Sequence, residues 1–315
     1  MKLTRIFSAL CLICFFSVSF AFSQDKGKDK KSKQKAVVVK ANVAVLDKDG
    51  KFANDIKLEN FKVFEDGVEQ KLTYFAQKEP ILNLVLVFDN TGSMRKNLDK
   101  IIKISSVFGD LFLSDKNEVA VVRFVSSDTI EITQEWTSSK KNVKEGIDNM
   151  YVEGGQSAIL DAVYLSAESV LAREKEIKSK RYAILLISDG EERDSYYNFE
   201  QTTALFNGTD LQVFLLSFAE TAPKDKKDAR IFSHLLTLET GGTVYLMPKK
   251  FTQTDIIDNL KKIAGELRSQ YIVGYISTNQ NRDGSTRKLT VQITDGEKGE
   301  KRQGIIRESF VVPKE

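Results

Sequence analysis

Six apolar runs of strand length recur between residues 82 and 269, and segments of helical character separate most of them. The runs are LNLVLVFD (82–89), EVAVVRFV (118–125), TIEITQEW (129–136), YAILLISD (182–189), LQVFLLSF (211–218) and TVYLMP (243–248). Helices are expected over 93–112, 142–150, 157–172, 199–206, 228–238 and 255–267. The last places Ile256, Leu260, Ile263, Ala264 and Leu267 on one face. Strands that are apolar on both sides, alternating with amphipathic helices, require a mostly parallel sheet covered on both faces. The expected class is therefore α/β, with a Rossmann-like, doubly wound sheet over residues 80–269. Ligands of such sheets sit beyond the C-terminal ends of the strands.

The flanking segments read differently. From 36 to 79 the apolar residues alternate with period two, and Asp66-Gly67 marks a hairpin turn. Asp47 and Asp49 open a loop whose twelfth position is Leu58 where a calcium loop needs glutamate, so a plain turn is expected there. Alternation returns from 270 to 315, with turns at Asp283-Gly284 and Asp295-Gly296. Neither piece buries enough to stand alone. The two ends are expected to form one small antiparallel β-sandwich with the α/β domain inserted between them.

At the N-terminus, Lys2 and Arg5 precede an apolar run from Ile6 to Phe22 that ends in Ala21-Phe22-Ser23. That pattern predicts a secretory signal peptide over 1–23, with an uncleaved anchor as the other reading. Residues 24–35, QDKGKDKKSKQK, read as a basic, solvated linker. Cleavage would make the chain secreted or periplasmic and not membrane-spanning. Both cysteines, Cys11 and Cys14, lie in the leader, so the mature chain would hold no thiol or disulfide. One histidine, His234, remains, which argues against Ser-His-Asp and Cys-His catalysis and against multi-His metal sites. The formal charge of +3 falls to +1 without Lys2 and Arg5 and gives no case for nucleic acid.

The chemistry lies where the apolar runs stop. The first ends in Asp89, with Thr91 and Ser93 behind it. The fourth ends in Asp189-Gly190. Between them, Gly154, Gly155 and Gln156 lead to Ser157 at the expected start of a helix. Asp89, Thr91 and Ser93 alone fit a turn and helix cap as well as a ligand loop. Three loops of hydroxyls and carboxylates, without His or Cys, suit a hard cation, Mg²⁺ or Mn²⁺, that keeps a position open. Neutral hydroxyls leave such an ion under-neutralised and still attractive to an outside carboxylate. Gly155, Gln156, Glu191 and Glu192 would form the partner-binding rim, although a plain solvated loop also explains the acidic pair. A phosphatase of the haloacid-dehalogenase type would need a second carboxylate where Thr91 stands, and no Walker loop is present.

These residues carry a resemblance. Asp89-Asn90-Thr91-Gly92-Ser93 resembles the DxSxS signature of the von Willebrand factor A domain, with threonine at its first hydroxyl position. Gly155-Gln156-Ser157 is similar to the second loop of that family's metal-ion-dependent adhesion site, and Ser188-Asp189-Gly190 to its third. The resemblance implies that Thr91, Ser93 and Ser157 bind the ion directly, with Asp89 and Asp189 acting largely through water. It implies a protein partner that offers Asp or Glu to the metal, non-covalent binding and no catalysed reaction. It also implies that the last helix couples the metal site to the sandwich. The alternative is a structural module whose metal site is vestigial or merely stabilising. The flanks, LENFKVFEDGVEQKLTYF and LRSQYIVGY, resemble a bacterial secreted subgroup, the VWFA-related family first described in Acidobacteria. The ending IIRESFVVPKE lacks that subgroup's Arg-rich Gly-Tyr motif.

Overall fold

The four inner strands of the central layer are buried on both sides, whereas the edge strand over 129–137 is polar and part-exposed. The computed structural model describes residues 36–77, 81–176, 181–221, 229–294 and 302–314. The signal peptide and basic linker expected over 1–35 lie outside the described residues. The chain opens with β1 (Val38–Leu46), β2 (Phe61–Glu65), β3 (Val68–Gln70) and β4 (Leu72–Ala76). The α/β segment follows as β5 (Leu82–Asp89), α1 (Arg95–Ile102), α2 (Ser105–Phe112), β6 (Glu118–Ser126), β7 (Thr129–Thr137), α3 (Lys140–Asp148) and α4 (Ile159–Glu176). It continues with β8 (Arg181–Ser188), α5 (Phe199–Ala204), β9 (Gln212–Ser217), α6 (Ala229–Thr240), β10 (Val244–Leu246) and α7 (Gln253–Ser269). The chain closes with β11 (Tyr271–Ile276), β12 (Thr286–Ile293), β13 (Gln303–Ile305) and β14 (Ser309–Val311).

The six-stranded sheet has the order β10-β9-β8-β5-β6-β7. All its neighbours pair in parallel except β6 and β7, whose antiparallel register shifts at three places. Period-two alternation sends Leu84, Leu86 and Phe88 of β5 to one face and Val85 and Val87 to the other. The first set packs with α1, α2 and α7 through Leu98, Phe108, Phe112, Ile263 and Leu267. The second packs with α4 through Val163, Ala167 and Val170. β5 and β8 lie side by side, Phe88 opposite Ile187, so Asp89 and Asp189 leave the sheet at the same edge.

Two expected helices differ in detail. The segment 93–112 is not one helix. A 3₁₀ turn, Gly92–Met94, leads into α1, and the chain breaks before α2 at Ile104. Ile101, Ile104 and Phe108 are all buried across that break, so apolar periodicity runs through it unmarked. The helix expected from Ser157 starts at Ile159 instead, because Ser157 adopts φ +57°.

The chain ends form two four-stranded antiparallel sheets, ordered β13-β1-β11-β4 and β14-β12-β2-β3. Val43, Val45, Phe61, Val63, Tyr271, Val273 and Leu289 fill one core between them, as expected for a small sandwich. Within it the Arg287 guanidinium donates to Glu65 at 2.7 Å, with both side chains buried. Only Gln270 separates α7 from β11. No helix among the described residues is long and apolar enough to cross a membrane.

Candidate metal centre

β5 delivers Asp89 to the sheet edge fully buried. Its Oδ1 accepts the Thr91 amide at 3.0 Å and the Thr91 hydroxyl at 2.6 Å. Its Oδ2 accepts the Ser188 hydroxyl, from the end of β8, at 2.6 Å. The Thr91 and Ser93 hydroxyl oxygens lie 3.1 Å apart. Neither the Gly92–Met94 turn nor α1 has a side-chain cap, so Ser93 does not cap its helix. Asn90 ties this loop to the next. Its Nδ2 donates to Tyr151 O at 2.8 Å, and its carbonyl accepts the Glu153 amide at 2.9 Å.

The second loop is held against β6. The Ser157 amide donates to Val125 O at 2.9 Å, and the Ser157 carbonyl accepts the amides of Arg193 at 3.0 Å and Asp194 at 3.3 Å. These bonds fix the left-handed conformation that a residue with a Cβ ordinarily avoids. Gly155 has a steric reason to be glycine, since a Cβ there would lie 2.3 Å from Val125 Cγ1 and 2.7 Å from its carbonyl oxygen. In the third loop, Asp189 is buried, and its Oδ1 accepts the Glu191 amide at 3.2 Å. Gly190, at φ +82°, donates its amide to Ser188 Oγ at 2.9 Å.

Together the loops line a cavity of about 200 Å³ that includes Thr91, Ser93, Gly155, Gln156, Ser157 and Arg193. The expected direct ligands, Thr91, Ser93 and Ser157, all line it. The expected rim divides. Gly155 and Gln156 are exposed at the opening. Glu191 also lines the cavity, but it is buried and ion-paired with Arg193. Glu192 faces inward, where its carboxylate accepts the Leu160 amide at 2.9 Å and the Ser195 amide at 3.0 Å. Glu192 thus satisfies an otherwise open donor at the start of α4 and does not face the cavity mouth.

Two features fit a cation. Ser157 Oγ is buried and has no hydrogen-bond partner, which costs free energy unless a ligand meets it. Burial pushes the Asp89 carboxyl up to about 7, and the nearby Asp189 carboxylate adds to the rise against the Ser188 and Thr91 hydrogen bonds. A cation between the loops would relieve both. The donor set is hydroxyl-rich, and among the described residues no three His, Cys, Asp or Glu side chains form a metal cluster. That composition suits Mg²⁺ or Mn²⁺ and not zinc. The sequence marks five ligands but assigns no role to three supports: Ser188 behind Asp89, Arg193 at the cavity wall, and Asp161. Asp161 accepts the Tyr196 and Tyr197 amides, each at 2.8 Å, and so pins the third loop to α4. The position of Ser188 directly before Asp189 was the one available signal.

Several solved structures are similar to the chain. A von Willebrand factor type A protein from Catenulispora acidiphila is 10% identical, covers 91% of this chain and 76% of its own, and has a TM-score of 0.48. An aerotolerance-related membrane protein from Bacteroides fragilis NCTC 9343 is 15% identical over 58% of this chain and 98% of its own, with a TM-score of 0.43. The PilB minor pilin of Streptococcus sanguinis is 13% identical over 62% of this chain and 63% of its own, with a TM-score of 0.46. No curated protein matches. The von Willebrand factor type A domain matches residues 83–263. That match takes in all three loops and more than half of the chain, and the protein belongs to the von Willebrand factor type A domain family.

Proposed function

We propose that the protein is an extracytoplasmic binding module that captures an acidic side chain of a protein partner through one Mg²⁺ or Mn²⁺. Membership of this family suggests a protein-interaction module. The metal dependence rests chiefly on Ser157, whose buried, unpartnered hydroxyl is held at φ +57° beside Thr91 and Ser93. Thr91, Ser93 and Ser157 would hold the ion directly, with Asp89 and Asp189 behind them. Bound there, the ion supplies an open coordination position for a carboxylate. The three hydroxyls add no negative charge of their own, so they leave the site attractive to an acid. Arg193 lines the same cavity but is ion-paired with Glu191, which lines it too, so the pair adds no net charge. Ser188, Asn90 and the Ser157 carbonyl hold the loops in place before any ligand arrives, which limits the ordering cost of binding. Because the family suggests an interaction module, we read no catalysed reaction. The location outside the cytoplasm rests on the leader pattern at residues 1–23.

Calorimetric titration of Mg²⁺ into wild type and Asp89→Ala tests the reading. Saturable binding by wild type alone supports it. Binding by neither protein removes the metal-dependent reading, and equal binding by both moves the metal elsewhere. Metal-dependent release of phosphate from an ester would make the chain an enzyme.

A further inference from the structure

On the opposite face of the sheet from α7, a second cavity opens between α4 and β7, the edge strand. Its volume is about 160 Å³. Buried Val85, Ala120, Val122 and Ser166 form its floor, and Trp136 walls one side. Ile132, Leu165 and Glu135 are exposed at its lip. The gap exists because the floor side chains are small where α4 passes over β5 and β6.

Three observations say what it takes. The first is size. A dry apolar cavity of about 150 Å³ admits one benzene ring. The second is Ser166. A serine inside a helix ordinarily turns its hydroxyl back to the carbonyl one turn earlier. Ser166 Oγ is buried and has no hydrogen-bond partner, although it lines the cavity. The third is charge. Glu135 makes no ion pair among the described residues, and no lysine or arginine lines the cavity. Arg173 lies over the Trp136 ring at 5.0 Å but is paired with Glu118 at 2.6 Å.

We infer that this cavity is a binding site for a small single-ring aromatic amine. The ring packs against Trp136 and the valines, the ammonium meets Glu135 at the lip, and a ring hydroxyl meets Ser166 at the floor. Aromatic pairs gain beyond their buried area, and a hydroxyl placed on Ser166 removes an unsatisfied donor. The inference is independent of the metal centre and uses none of its residues.

Trp136 is the one tryptophan of the chain, so intrinsic emission reports on the site directly. Tyramine, phenethylamine and hydrocinnamate are titrated into the full chain at constant ionic strength. Both amines are expected to change the emission saturably. Tyramine should bind about fivefold more tightly than phenethylamine, the worth of one net hydrogen bond. Hydrocinnamate should bind at least about fivefold more weakly than phenethylamine, because its carboxylate meets Glu135. Glu135→Gln should close the gap between amine and acid, and Ser166→Ala should erase the preference for tyramine. Linear quenching that is alike for all three compounds overturns the inference. So does saturable binding whose order survives both substitutions. A nuclear Overhauser contact between tyramine ring protons and the Trp136 indole is required in wild type, and its absence at saturating tyramine also overturns the inference.

Discussion

The Ser188 hydroxyl donates to Asp89 Oδ2 at 2.6 Å while accepting the Gly190 amide at 2.9 Å. One buried side chain therefore joins the ends of β5 and β8 and fixes the carboxylate at the back of the metal centre. Ser188→Ala would delete a hydrogen bond to a buried carboxylate and leave the Gly190 amide without its acceptor. At pH 8, above the Asp89 pKa of about 7, that carboxylate is charged, and bonds to charged groups are worth about 1.5–3 kcal/mol. We expect a fall of that size in unfolding free energy, read as a lower urea midpoint with an unchanged m-value. Mg²⁺ affinity should fall in the same variant. An unchanged midpoint would show that water replaces the hydroxyl.

Asp89 gives the metal-free protein a pH dependence. Its folded pKa, about 7, lies above the carboxylate's ordinary value of 3.8. Between those values the native state holds a proton that the unfolded state has lost. Stability is therefore full at the acid end of that window and is lost as pH rises through about 7. Metal-free wild type should melt at a lower temperature at pH 8 than at pH 5.5, and Asp89→Asn should shrink that difference, leaving the part that the raised Glu192 and Glu266 carboxyls supply. Divalent cation should restore more stability at pH 8 than at pH 5.5, since it binds the ionised form. Thermal melts with EDTA and with Mg²⁺ measure all of these differences.

What the sequence showed and what it hid follow one physical rule. Features set by short-range patterning were legible. Leu84, Leu86 and Phe88 fill one side of β5 and Val85 and Val87 the other, and such unbroken apolar runs between amphipathic helices were enough to assign the α/β class. Asp89 and Asp189 fall at one sheet edge because both follow apolar strands of the same sense. Features set by distant partners were not legible. The break before α2 leaves the burial of Ile101, Ile104 and Phe108 intact, so periodicity does not report it. Glu192 counts as surface charge until its carboxylate is seen to accept the Leu160 amide, which lies 32 positions away. The backbone of Ser157 depends on Val125, Arg193 and Asp194, and nothing in the local stretch Gly155-Gln156-Ser157 specifies a left-handed serine.

Ser157 should separate stability from binding. Its hydroxyl has no partner to lose, and its φ of +57° favours glycine. Ser157→Gly is expected to leave stability unchanged or to raise it by up to about 1 kcal/mol, as relief of left-handed strain allows. Mg²⁺ affinity should drop at least about tenfold, since a direct ligand is removed. Ser157→Thr, which keeps the hydroxyl, should retain measurable metal binding. Calorimetry and urea melts on the two variants supply both axes. If the Ser157→Gly variant binds Mg²⁺ like wild type, Ser157 leaves the ligand set.

The junction where α7 enters the sandwich rests on a buried cation. Arg181 Nη1 donates to Leu267 O at 2.8 Å, and its guanidinium also meets the side chains of Gln212 and Gln270. Burial lowers its pKa to about 10, against the opposing pull of Asp210 and Glu266. Glu266 is itself buried, and burial raises its pKa although Tyr245, Thr243 and Arg181 hold it down. Arg181→Met would leave that carboxylate without its nearby cation, a loss of the kind that costs about 3–5 kcal/mol. The remaining Glu266 carboxyl should then rise further, so the variant's deficit should be smaller at pH 5 than at pH 8. The sign follows because a raised carboxyl favours the native state only while it is protonated. Adding Glu266→Gln should recover part of the loss and remove its pH dependence, since the amide oxygen still accepts from a hydroxyl and no buried charge is stranded. Urea melts of wild type, both single variants and the double variant, each at two pH values, complete the cycle. Strictly additive costs at both pH values would show that Arg181 acts through its hydrogen bonds to Leu267 and the glutamines and not through Glu266.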